Sequence, residues 1–265
     1  MNNFRGFLFD LDGTIYAGTK LIDGATDLLT LLRKEGKTIA FMTNNSTLNA
    51  AEIRMKLAKF GVPAEEEEII CPTDCAGTFL TDHFGPSNVY VIGSDALKEN
   101  VARSGHTLLH SVNAHCDVVL VGRDLEFTYR KLEDASIHVQ KGALLVATNM
   151  DHTHPIQTGD DVPETGALVA AIQATVSIEP LIIGKPDAYL YDTALKRFGL
   201  TPEDTVMIGD NPLTDIQGGI NAGLHSVLID LHGKKMLPMT GDVRTVERLK
   251  DLYDTYRQSL VTGGL

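Results

Sequence analysis

Short apolar runs recur along this chain with amphipathic helical stretches between them, and this alternation restricts the fold more than any other feature. Runs at 7–9, 38–42, 89–92, 118–121, 144–147, 181–183, 206–208 and 227–229 have strand length and are almost wholly apolar. Strands alternating with helices are the signature of α/β architecture with a mostly parallel sheet. Between the first two runs, residues 24–34 place Ala25, Leu28, Leu29 and Leu32 at helical spacing. A second helix over 48–60 ends at Gly61, with Pro63 as a stop signal. Further helices are expected near 96–103, 128–140, 166–174 and 188–198, and a charged one over 243–259. The middle of the chain holds a complete strand–helix set of its own. Residues 81–178 are therefore expected to form a smaller separate domain, with 1–80 and 179–265 making up the other and the 181–183 strand resuming it. The acidic run at 65–68 reads as a solvated turn before a strand.

Composition narrows the function classes. At 43% hydrophobic and 22% charged residues, the 265-residue chain lies in the range of folded globular proteins. Its 23 basic residues against 35 acidic ones leave a net charge of −12 and no basic stripe, which disfavours nucleic-acid polymers and anionic membranes. No apolar run approaches the roughly 18 residues needed to span a bilayer. The opening Met1-Asn2-Asn3-Phe4-Arg5 passes directly into a strand-like run, so no signal peptide is expected. Cys71, Cys75 and Cys116 are odd in number and lack framework spacing, so reduced thiols in a cytoplasmic protein are expected. Cys71 and Cys75 can share a helix face, but without further ligands they read as packing residues.

Four segments carry chemistry. The first is Phe9-Asp10-Leu11-Asp12-Gly13-Thr14, at the end of the first apolar strand. Residues two apart in an extended chain point to one face, so Asp10 and Asp12 project together while Leu11 turns to the core and Gly13 permits a sharp turn. Sites in parallel sheets form at the carboxyl ends of strands, where these carboxylates fall. Two adjacent carboxylates repel unless a proton or a cation intervenes, which suits one nucleophile, one acid/base group and a nearby Mg²⁺. A plain strand-to-turn transition is the alternative. A calcium loop does not fit: counted from its first Asp, that loop has its glycine sixth, and here it is fourth. The second segment, Met42-Thr43-Asn44-Asn45-Ser46, puts a hydroxyl and amide donors past another strand, fit for phosphate or for capping a helix. The third, Gly184-Lys185-Pro186, offers a lysine to neutralise a carboxylate–phosphate pair. The fourth, Ile208-Gly209-Asp210-Asn211-Pro212-Leu213-Thr214-Asp215-Ile216, supplies a third strand-end carboxylate for a hard cation, with helix capping as the alternative for the acidic residues.

In this order, over nearly the whole chain, these segments resemble the haloacid dehalogenase (HAD) superfamily, which contains mostly phosphatases. About 30 residues separate the first two motifs, and Lys185 comes 142 positions after Thr43, an interval that holds the extra α/β unit. The arrangement looks like the class II (subtype IIA) capped group and, within it, the NagD-like, p-nitrophenylphosphatase-like family. Phe127-Thr128-Tyr129, Ala147-Thr148-Asn149-Met150-Asp151 and the 166–172 segment support that branch. The resemblance implies a Rossmann-like core with a parallel sheet and an α/β cap inserted between the second and third motifs. It makes Asp10 the nucleophile, Asp12 the acid/base group and Lys185 the charge-steadying residue. Thr43, Asn44 and Asn45 would bind phosphate. Asp10, the Asp12 backbone carbonyl and Asp210 would hold Mg²⁺, with Asp215 and Asn211 behind them. His154, in the cap loop 149–155, is the expected substrate contact. His152 and His154 with Asp151 lack the further ligand that a metal site requires.

Two departures bear on the substrate pocket and on oligomer contacts: Glu164 stands where the family more often has a small residue, and Asp230-Leu231-His232-Gly233-Lys234-Lys235 where it has a small hydroxyl residue and glycine. The expected function is Mg²⁺-dependent hydrolysis of a small phosphomonoester, of the nucleotide or sugar phosphate class, through an aspartyl-phosphate. A phosphotransferase or mutase on the same core and a non-catalytic regulatory protein are the alternatives; dehalogenation needs neither Asp12 nor magnesium. The assembly is open, with a homodimer as one form.

Overall fold

The computed structural model describes residues 3–156, 158–231, 233 and 243–262. They pack as two compact units, one of residues 1–43, 54–70 and 185–265, the other of 44–53 and 71–184. The expected joints at 80/81 and 178/179 thus differ from the divisions that packing makes. The helix Pro72–Phe84 accounts for one difference. It belongs with the middle of the chain, where the Asn100 side chain accepts from the Gly77 amide and donates to the Asp74 carbonyl.

The first unit is built on a six-stranded parallel sheet. Its order is Val243–Val246, His225–Ile229, Thr205–Gly209, Gly6–Phe9, Thr38–Met42, Ile69–Ile70. The central strand is wholly buried, as an apolar run covered on both faces must be. Helix Ala25–Lys34 buries Ala25, Leu28, Leu29 and Leu32, the four residues whose spacing marked it. Each such leucine contributes about 1.5–3 kcal/mol by leaving water. The chain goes from Gly6–Phe9 to strands on one side of it and later returns to Thr205–Gly209 on the other. The carboxyl ends of these two neighbours therefore flank the switch point at which open α/β sheets form their crevice.

The expected charged helix over 243–259 is corrected at its start. Val243–Val246 is a strand pairing with His225–Ile229, and the helix is Leu249–Thr262. Of the departure at 230–235, His232, Lys234 and Lys235 lie outside the described residues.

The second unit has its own five-stranded parallel sheet, in the order Leu181–Ile182, Leu144–Ala147, Val118–Val121, Asn88–Ile92, Thr107–Leu109. Leu181–Ile182 pairs with Leu144–Ala147, so it is an edge of this sheet and does not resume the first one. Helices Tyr129–Gln140 and Thr165–Gln173 bury Ala135, Val139, Val169 and Ile172 against Val119, Val121 and Leu145. A short hairpin, Thr153–Pro155 with Asp161–Pro163, carries His154. All three cysteines are buried and unbridged. Among the described residues no helix is long and apolar enough to cross a membrane.

Candidate active site

Asp10 leaves the central strand and Asp210 leaves its neighbour, with the Asp10 amide donating to the Ile208 carbonyl at 2.9 Å. The chain then turns at Gly13, whose φ of 91° lies in the left-handed region. A Cβ at residue 13 would meet the Asp210 carboxylate, so glycine there meets both a conformational and a steric demand. Leu11 is buried, as the alternation of side chains along the strand end requires.

Lys185 is 3% exposed and joins the first and fourth motifs. Its ammonium donates to Asp10 Oδ1 at 2.7 Å, to Asp215 Oδ1 at 2.6 Å and to the Met42 carbonyl at 3.2 Å. Asp215 is buried; its other oxygen accepts the Asn211 amide at 3.0 Å. Gly209 permits that approach, because a Cβ there would run into the Asp215 side chain. The Asn211 side chain accepts from the amides of Leu213 and Thr214, so it caps the helical turn Pro212–Ile216 that presents Asp215.

One oxygen from each of Asp10, Asp210 and Asp215 can be chosen so that all three lie within 4.8 Å of one another. The set fits a hard divalent cation: every donor is a carboxylate oxygen, and three carboxylates face one ammonium. The surplus of negative charge shows in the acidities. Burial first, and then the charge of Asp215, push the Asp10 carboxyl well up from its ordinary range, against the pull of Lys185. Burial and Asp215 likewise push Asp210 up to about 6. Burial disfavours the Lys185 charge, but Asp10 and Asp215 outweigh it and hold that ammonium protonated. A bound cation relieves the crowding of like charges that raises the two carboxyls.

The Asp12 side chain is not one of these three carboxylates. It is 39% exposed and takes the Tyr16 hydroxyl at 3.0 Å, with the Lys56 ammonium 3.7 Å from its other oxygen. Thr43 is buried at the end of Thr38–Met42, beside the central strand, with its amide on the Ile70 carbonyl at 3.1 Å. Asn44 and Asn45 belong to the second unit. Asn44 donates to Asp151 at 3.0 Å and accepts from Asn149 at 2.9 Å, while Asn45 accepts from the amides of Thr47 and Leu48 in the loop before helix Ala50–Lys59, whose cap is Asn49, accepting from the Glu52 amide at 2.9 Å. His154 is half-buried on its hairpin strand. Glu164 is buried, bonds the amide and hydroxyl of Thr165, and lies 4.0 Å from Arg123.

Sequence reasoning missed Tyr191. It is wholly buried on helix Tyr189–Phe198 and donates to the carbonyls of Thr214 and Asp215, steadying the acidic turn. Its only signal was a core-facing aromatic, which carries no chemical meaning.

Residues 7–107 match a haloacid dehalogenase-like hydrolase family, and 182–250 a second, described as HAD-hydrolase-like. The 5′-nucleotidase YutF of Bacillus subtilis is 32% identical over 243 residues, covering 92% of this chain and 93% of that protein. An acid sugar phosphatase of Staphylococcus haemolyticus is 34% identical over 251 residues, covering 95% and 90%. The chain belongs to the haloacid dehalogenase-like hydrolases. Within that superfamily it is a phosphatase of the NagD-like, p-nitrophenylphosphatase-like group. Among solved structures, the 4-nitrophenylphosphatase of Thermotoga maritima superposes with a TM-score of 0.87 at 30% identity, covering 96% of this chain and 97% of that one. A double mutant of the thermostable NPPase of Geobacillus stearothermophilus gives 0.86 at 32%, covering 95% and 98%.

Proposed function

We propose that this phosphatase hydrolyses a small phosphomonoester, of the nucleotide or sugar phosphate class, in two steps through an aspartyl-phosphate on Asp10. The observation that carries the reading is the Asp10–Lys185–Asp215 chain of short charged contacts beside Asp210, at the switch point of a parallel sheet. The names of the relatives, a 5′-nucleotidase and an acid sugar phosphatase, support the substrate class.

In the first step Asp10 attacks phosphorus in line with the leaving oxygen. The bond from Asp10 to phosphorus forms as the ester bond breaks, and Asp12 gives its proton to the departing alkoxide. In the second, Asp12 takes a proton from water, which attacks phosphorus and releases inorganic phosphate and the Asp10 carboxylate. Lys185 fixes Asp10 in one orientation and offsets the repulsion between this carboxylate and the phosphate dianion. Asp10, Asp210 and the Asp12 backbone carbonyl would hold a Mg²⁺ ion, with Asp215 adjoining. When bound, Mg²⁺ supplies positive charge for the equatorial phosphoryl oxygens. Thr43 binds phosphate through its hydroxyl, and Asn44 and Asn45 extend that segment. The second unit selects among leaving groups, with His154 as its substrate contact; the first unit carries the chemistry.

The test is release of inorganic phosphate from p-nitrophenyl phosphate. Asp10→Asn, nearly the same in shape, is expected to lower kcat by about a thousandfold or more while thermal unfolding stays cooperative. Retention of more than a few per cent of the rate would remove Asp10 as the nucleophile.

A further inference from the structure

Asp12 is the one strand-end carboxylate of the first motif that lies outside the crowded acidic cluster, and two groups from different parts of the first unit hold it. Tyr16 lies four residues further on. The Gly13 amide donates to its carbonyl at 2.7 Å, which folds the turn back on itself. The Tyr16 hydroxyl consequently reaches Asp12 Oδ2 at 3.0 Å. The second group comes from helix Ala50–Lys59, where the Lys56 ammonium stands 3.7 Å from Asp12 Oδ1 and 4.1 Å over the Tyr16 ring. Phe60 stacks on the same ring, with centroids 4.9 Å apart and planes 12° from parallel. Tyr16 is 2% exposed, so its packed ring fixes where its hydroxyl stands.

One oxygen of Asp12 therefore accepts a hydrogen bond and the other faces an ion-pair partner, and the two supporting groups are packed on each other. A surface carboxylate gains little stability from such neighbours, and a proton carrier gains orientation. We propose that Tyr16 and Lys56 are positioning residues that hold the Asp12 carboxyl in the orientation from which it protonates the leaving oxygen. The inference rests on the acid/base role proposed for Asp12 above and adds the residues that make that role effective. As the bond from Asp10 to phosphorus forms and the ester bond breaks, the proton passes from Asp12 to the ester oxygen. The same held carboxylate then accepts a proton from the attacking water. Loss of either support lets Asp12 rotate, and the penalty falls on esters whose leaving group needs the proton most. Aryl esters that expel a stable phenolate depend on it least.

The experiment measures kcat/KM across a series of substituted phenyl phosphates of graded leaving-group acidity, for the wild type, Tyr16→Phe, Lys56→Met and Lys56→Arg. Tyr16→Phe keeps the stacked ring, and Lys56→Met keeps the aliphatic stem, so thermal unfolding should change little. The wild type is expected to depend weakly on leaving-group acidity. In Tyr16→Phe and Lys56→Met the dependence should steepen, lowering the ratio of the most basic to the most acidic leaving group by about tenfold. Lys56→Arg, which keeps the charge, should recover part of that ratio. An unchanged ratio in both Tyr16→Phe and Lys56→Met, whether rates fall uniformly or stay the same, overturns the inference and leaves the acid role of Asp12 standing. A steep dependence in the wild type itself would instead contradict that acid role, and the inference would fall with it.

Discussion

Gly13 shows how tightly single residues are set around the carboxylates. Its left-handed φ disfavours any side chain, and the space where a Cβ would go is taken by Asp210. We expect Gly13→Ala to destabilise the protein by about 1 kcal/mol or more and to reduce turnover, because the strain can be relieved only by moving the turn or Asp210. Urea unfolding and kcat on p-nitrophenyl phosphate measure the two effects; wild-type values for both would show that the turn tolerates a side chain. At this scale the placement of Asp10 and Asp210 at neighbouring strand ends was legible in sequence, because each follows an apolar run of strand length. The supports were not. Tyr16, Lys56 and Tyr191 read as ordinary core or surface residues, and their roles arise only where a turn or a distant helix brings a hydroxyl or an ammonium to a carboxylate or carbonyl. Asn45 answered to both capping and ligand roles in sequence, and its side chain braces a loop turn; Asn211, expected behind the cation, caps the turn Pro212–Ile216.

Strands and helices were legible in proportion to how one-sided or how uniform their burial is. The wholly apolar Gly6–Phe9 and Val118–Val121 were plain, as was Ala25–Lys34 with its single buried stripe. Helix Pro72–Phe84 was missed because it buries Thr73, Gly77 and several apolar residues on more than one side, which blurs the helical period. Val243–Val246 does not read as a strand, because its two central residues are exposed and polar, as an edge strand allows. Nothing local marks which sheet Leu181–Ile182 joins; that depends on which edge the chain reaches.

One element carries a pH effect. His138, on helix Tyr129–Gln140, is 1% exposed beside Tyr90, and its Nε2 has no hydrogen-bond partner. Burial first, helped by Lys141, holds this imidazole below its ordinary pKa. A depressed value means that the unfolded chain binds the proton more readily, so stability is complete above the unfolded pKa near 6.5 and declines as the pH falls below it. The urea midpoint should drop from about pH 7.5 to about pH 5.5, and His138→Gln should shrink that drop. An identical drop in the variant would assign it to other groups.

The whole molecule sets one electrostatic problem against another. A chain of net charge −12 must bind a phosphate dianion, and the first unit meets this by gathering three carboxylates where, with Lys185, a divalent cation can cancel the local negative charge. Lys185 alone leaves that group negative, as the upward shifts of Asp10 and Asp210 indicate. The claim that these strand ends make a cation site can be measured apart from turnover. Titration of the purified protein with Mn²⁺, followed by the relaxation of water protons and reversed by Mg²⁺, counts the ions held. The expected result is one ion per chain, bound at least about tenfold more weakly in Asp210→Asn. Undiminished binding in that variant, or no Mg²⁺-displaceable ion in the wild type, would contradict it.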